Sequence, residues 1–243
     1  MDNIMQLNRI KYVKSPVGWD PASANPFVSD GRYGPKWSSL EIIDDSDLRL
    51  HYRADSCSNK ELYNCRVGRY YAELEAAIAD FLRYESLHGR KVIVTCPEEI
   101  DLDTIIGRSL KNTPRASIIR DDDPKWVVHS TPVNHWEKIE ACGQLRSIAR
   151  LREEGVNFPA IGYEELGEPE EFKEYIAFGT LDAIGPENVV ASHNKGFVFT
   201  EEHTPYHPGV RLYFDAHRII KDGLAVRDGL HSLKVHDKLA LNP

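Results

Sequence analysis

A few short stretches carry most of the residue types able to do chemistry. Val128-His129-Ser130-Thr131 sets an imidazole and two hydroxyls in a row at the end of an apolar run, groups that between them donate and accept hydrogen bonds. Arg146-x-x-x-Arg150-x-Arg152 places cations at helical spacing. A planar guanidinium suits a phosphate or carboxylate, although such a series is also what a solvated helix face looks like. Glu201-Glu202 puts paired carboxylates at the start of a loop that runs on as His203-Thr204-Pro205-Tyr206-His207-Pro208-Gly209. That loop is rigid, aromatic and histidine-bearing, a kind that either touches substrates or makes a structural turn.

Other patterns exclude more than they suggest. His203 and His207 are four apart, but prolines between and beside them rule out a helix, and no H-E-x-x-H occurs; no metal is expected. Asp44, Asp45 and Asp47 lack the glycine and distal glutamate of a calcium loop and read as a polar turn. Cys57, Cys65, Cys96 and Cys142 form no C-x-x-C pair and are expected as thiols in a reducing compartment, with a Cys57–Cys65 bridge the weaker alternative. The formal net charge of -8 argues against tight nonspecific nucleic-acid binding but leaves room for a local basic patch. No apolar run has the length of a membrane span, and Met1-Asp2-Asn3-Ile4-Met5 does not open a secretory signal. A cytoplasmic protein without membrane contact is expected.

The elements that must position these residues follow from periodicity. Residues 1–37 are rich in Pro, Gly, Ser and Asn, with Trp19, Phe27, Tyr33 and Trp37 spaced to pack an irregular segment across a body. Leu40–Tyr52 reads as a β-hairpin around the Asp44–Asp47 turn. Apolar spacing predicts a helix over Arg69–His88, stopped by Gly89, then a strand Lys91–Thr95 and a helix Ile100–Lys111. These make a small α/β domain, 1–122, and the Asp121-Asp122-Asp123-Pro124 run marks the boundary with a second domain, 123–243. There, strands are expected at Trp126–Thr131, Tyr175–Thr180, Phe197–Thr200, Val210–Asp215, Leu224–Val226 and His231–Val235. A helix is expected at Val133–Cys142, capped by Gly143, and a helical turn at residues 216–222. The fold class is α+β.

Val128-His129-Ser130-Thr131, followed by Trp136, Ile139, Gly143, Leu145 and Arg150, resembles the opening of ADP-ribosyltransferase-like domains, and of the RNA 2'-phosphotransferase family in particular. Leu212-Tyr213-Phe214-Asp215-Ala216, Arg218 and Asp222-Gly223 extend the resemblance, which covers residues 126–238. It implies a split β-sheet domain that uses NAD as a substrate and transfers ADP-ribose to a nucleic-acid or protein acceptor, or to a phosphate on one. Cleaving the bond to nicotinamide develops positive charge on a ribose that must be held in a fixed pose. On this resemblance His129, Ser130 and Thr131 bind NAD, Tyr175 stacks on nicotinamide, and Arg150 faces phosphate. The chain departs from the family in residues 151–174, which separate Arg150 from the Tyr175 strand, and in lacking an Arg-His pair within residues 1–125. The last strand offers His231 where many relatives place a glutamate. His231 is therefore one catalytic candidate, and Glu202 is another, taken by elimination among Glu201, Glu202 and Asp228. The alternative is a non-catalytic nucleotide- or nucleic-acid-binding protein on the same fold.

Overall fold

The computed structural model describes residues 12–16, 18–20, 23–52, 62–97, 99–111, 117–157, 161, 168–181, 185–199 and 209–241. Helices and strands alternate along them, an α+β mixture, and the chain divides into two units. The first takes in Met1–Thr113 and Arg227–Leu230; the second takes in Pro114–Val226 and His231–Pro243. Ile119 packs against the second unit's core.

In the first unit, strands Tyr12–Lys14 (β1), Trp37–Ile43 (β2), His51–Tyr52 (β3), Tyr63–Gly68 (β4) and Lys91–Thr95 (β5) form a sheet in the order β1-β5-β2-β4-β3. All neighbours run parallel except β3 and β4. The hairpin expected over Leu40–Tyr52 is overturned, because β4 lies between β2 and β3 and pairs with both. Local alternation could not reveal this, since the partner strand lies farther along the sequence. Helix Leu74–Leu87 (α1) buries Leu74, Ile78, Phe81 and Leu82 at helical spacing and ends at Gly89, whose φ of 75° suits a residue without Cβ. Helix Leu102–Lys111 (α2) follows β5. Gly229 also belongs to this unit. At φ 77° its missing side chain makes room for the Ala77 carbonyl and the Leu50 side chain.

The second unit starts with strand Trp126–Pro132 (β6), helix Val133–Cys142 (α3), strand Gln144–Arg146 (β7) and helix Ile148–Glu153 (α4). A 3₁₀ turn, Glu170–Glu174, leads into strand Tyr175–Phe178 (β8) and helix Gly185–Lys195 (α5). Strand Gly209–Asp215 (β9), helix Ala216–Lys221 (α6) and strands Ala225–Val226 (β10), Leu233–His236 (β11) and Lys238–Ala240 (β12) complete it. Gly143 closes α3 at φ 68° and donates its N–H to the Ile139 carbonyl at 2.9 Å. Ser147 and Asp215 cap α4 and α6 by accepting the N–H groups of Arg150 and Arg218. Residues 197–199 are not a strand, correcting the expectation of one over Phe197–Thr200. Instead the buried Ser192 hydroxyl accepts the Phe199 N–H at 2.9 Å, turning the chain back onto α5.

Three ladders frame the unit: β6 with β9, β8 with β11 and β10, and β7 with β12, all antiparallel. Val127, Phe178, Phe214, Ile219, Ile220, Leu233 and Val235 fill the core, each almost fully buried. Burying one such side chain contributes about 1.5–3 kcal/mol. The Phe178 and Phe214 rings meet edge to face at 5.4 Å, packing the β8 ladder against the β9 ladder.

Candidate functional site

Between β6 and the end of β8, Val128 and Gly179 exchange N–H···O bonds of 2.9 and 3.0 Å, and among the described residues the main-chain pairing of these two ladders is limited to this bridge. His129, one residue past the bridge, turns toward β8. Its Nδ1 lies 3.3 Å from the Ala177 carbonyl, which can only accept, so Nδ1 carries the proton and Nε2 is left as an acceptor. The ring is half-buried and stands edge-on to Phe178 at 5.9 Å. Burial pushes its pKa down, opposed by the bond to Ala177, so the ring stays neutral. Ser130, the next residue of the strand, turns to the opposite face, where its buried hydroxyl has no hydrogen-bond partner among the described residues. Leaving such a group unpaired costs about 1–3 kcal/mol, which a ligand able to bond it would recover. Thr131 is buried on the same strand.

Tyr175 opens β8, two residues before Ala177, or about 7 Å along the strand. One neighbour is His236, whose ring centroid is 5.3 Å away. Another is the Lys234 ammonium, 4.7 Å from the Tyr175 ring and 3.9 Å from that of Phe172. A positively charged nicotinamide would stack unfavourably on a ring face already turned to an ammonium, so only the opposite face suits that role. Lys234 is nearly fully buried. In the alternating run Leu233-Lys234-Val235 it would be expected to point to solvent, but residues of the 3₁₀ turn cover it. His231 lies two residues before β11, not within the last strand as expected, and its ring packs on Phe172 at 5.6 Å.

Arg150 sits in the first turns of α4. Its Nε and Nη2 donate to the two carboxylate oxygens of Asp237 at 2.7 and 2.9 Å, and Nη1 lies 3.1 Å from Glu153. This pairing pulls the Asp237 carboxyl below the usual carboxylate range and raises the arginine's pKa. A phosphate at Arg150 would therefore meet the end-on edge of the guanidinium, beside the Glu153 carboxylate, and not the Nε edge. Glu202, Glu201 and residues 203–208 lie outside the described residues, so the expectations placed on them stay with the sequence. Arg146 pairs with Glu154.

Residues the sequence did not single out complete the picture. His135 of α3 and His193 of α5 stand with their rings perpendicular, 5.7 Å apart. Burial, reinforced by the neighbouring His135 and then His129, drives the His193 pKa down to about 4. His135 is lowered as well, by burial and by Lys138. The imidazole of β6 thus lies close enough to His193 to add to that shift. Only tertiary proximity reveals this, because His193 falls in a helix the sequence left unassigned. Among the described residues no set of His, Cys, Asp and Glu is grouped to hold a metal ion, and no helix is long and apolar enough to cross a membrane.

Comparison of the chain with models of known protein families, with curated proteins and with solved structures found no match.

Proposed function

We propose that the second unit is an ADP-ribosyltransferase-like split-sheet domain. It takes NAD as a substrate and moves ADP-ribose, in the cytoplasm, to a nucleic-acid or protein acceptor or to a phosphate on it. The observation that carries this proposal is the end of pairing between β6 and β8, where His129 is oriented by the Ala177 carbonyl. A neutral Nε2 accepts a hydrogen bond from a ribose hydroxyl, and the Thr131 hydroxyl, on the same face of β6, suits a carboxamide. Held in this way, the ribose loses freedom before the bond to nicotinamide breaks. That bond's electron pair leaves with nicotinamide, and the acceptor's nucleophile forms the new bond to the same ribose carbon. Arg150 offers its end-on edge to the pyrophosphate, and Tyr175 opens the strand that carries Ala177. Glu202 and His231 are the groups assigned to orient the acceptor, Glu202 by elimination.

The second interpretation is a nucleotide-binding protein without turnover. It is favoured by the occupied Nε edge of Arg150 and by the packing of His231 on Phe172. Two measurements separate the proposals. NAD at millimolar concentration should raise the melting temperature, since a ligand bound only by the folded state stabilises it, and His129→Ala should remove most of that shift. Nicotinamide release under single-turnover conditions then identifies a transferase. A shift without release leaves the binding protein, and no shift in the unaltered chain ends the transferase proposal.

A further inference from the structure

Asp237 breaks the chain between β11 and β12. Among the described residues it is the one non-glycine with a positive φ, at 66°. Aspartate tolerates that conformation better than most residues, but it still needs surroundings that enforce it. Those surroundings are specific. The Asp237 N–H donates to the Glu174 carbonyl at 2.9 Å, and its own carbonyl accepts the Ser147 N–H at 2.7 Å. Glu174 immediately precedes Tyr175, and Ser147 caps the helix that carries Arg150. In register, His236 stands opposite Tyr175, with its Nε2 3.6 Å from the Glu174 carboxylate. One residue is therefore bonded through its main chain to the segments bearing Tyr175 and Arg150, and through its carboxylate to the guanidinium itself.

A guanidinium has five N–H donors in a rigid plane. Asp237 holds the Nε edge and Glu153 lies 3.1 Å from Nη1, so the long arginine side chain is fixed before any ligand arrives, with one N–H on each of Nη1 and Nη2 left at the end-on edge. We propose that Asp237 is the positioning residue for pyrophosphate recognition: it presents the end-on edge of Arg150 to the phosphates and fixes that edge relative to the strand beginning at Tyr175. This inference rests on the ADP-ribosyl-transfer proposal above.

The test is a double-mutant cycle on NAD affinity in the full chain, measured by calorimetric titration. Asp237→Asn keeps the backbone conformation and both main-chain bonds but removes the charge. It should weaken NAD binding about tenfold. If Asp237 acts through Arg150, the double variant Arg150→Ala/Asp237→Asn should bind no more weakly than Arg150→Ala alone. Melting temperatures that stay matched across the cycle separate this from a purely structural role, which would lower them. Where the asparagine variant fails to fold, Asp237→Gly, which suits the positive φ, takes its place in the same cycle. Unchanged affinity in the Asp237 variant, or losses that add in the double variant, overturn the positioning role while leaving NAD binding standing. Failure of the unaltered chain to bind NAD overturns the transfer proposal and the role of Asp237 with it.

Discussion

Replacing His193 should remove much of this protein's sensitivity to mild acid. In the folded chain His193 titrates near 4, against 6.5 for an ordinary histidine, because it is largely buried and faces His129 on β6 and His135 on α3, the latter beside Lys138. A folded value below the unfolded one means that, as pH falls, the unfolded chain takes up the proton first. Stability from keeping His193 neutral is complete above pH 6.5, declines as pH drops towards about 4, and is gone below that. The gap between those values sets a ceiling of about 3 kcal/mol, and partial solvent access at the ring reduces it to about 1–2 kcal/mol. For a unit of this size each kcal/mol moves the melting temperature by about 3–5 °C. His193 should therefore account for roughly 5 °C of the loss between pH 7 and pH 4.5. The Asp237 carboxyl, held below its ordinary 3.8 by Arg150, contributes stability that is lost only as pH falls through its lower folded value. Its effect therefore lies beneath the histidine window. The assay is calorimetric melting from pH 7.5 to 4.5 for the unaltered protein, His193→Gln and His135→Gln. An acid-induced loss in His193→Gln equal to that of the unaltered chain would falsify the assignment of this window to the histidine cluster.

Gly229→Ala should cost about 2 kcal/mol or more in urea unfolding of the first unit. A Cβ there strains a positive φ and meets both the Ala77 carbonyl and the Leu50 side chain, the latter at 2.9 Å; an unchanged midpoint would mean that the segment does not pack there. In the same unit Glu85 holds Arg90 through bonds of 2.6 and 3.0 Å, both side chains almost fully buried. Glu85→Ala should destabilise by about 3–5 kcal/mol, and replacing both partners with apolar residues of similar volume should restore most of it; equal loss in single and double variants would refute this. Glu202→Gln should slow single-turnover nicotinamide release at least tenfold, about 1.4 kcal/mol in the barrier, at an unchanged melting temperature. An unaltered rate removes Glu202 as the acid.

The sequence by itself determined the elements whose signals are local. The spacing of Leu74, Ile78, Phe81 and Leu82 and the stop at Gly89 define α1, and Gly143 closes α3 where the left-handed cap requires it. The runs Lys91–Thr95 and Val210–Asp215 read as strands because uninterrupted apolar or alternating residues have few other uses. His129 stood out for standing beside two hydroxyls, although the strand runs on past it to Pro132. What only the tertiary structure decided is pairing and company. β4 entered between β2 and β3 because strand partners are chosen by non-local packing, which a hairpin pattern does not encode. The carboxylate held by Arg150 comes from Asp237, far along the chain, and His193 meets His135 and His129 only when α5 packs. Lys234 is buried with its ammonium against the rings of Phe172 and Tyr175, while its strand position alone would turn it to water. Periodicity records which face of an element is apolar; which charges share a low-dielectric space, and so which pKa values move, depends on distances between elements that folding alone sets.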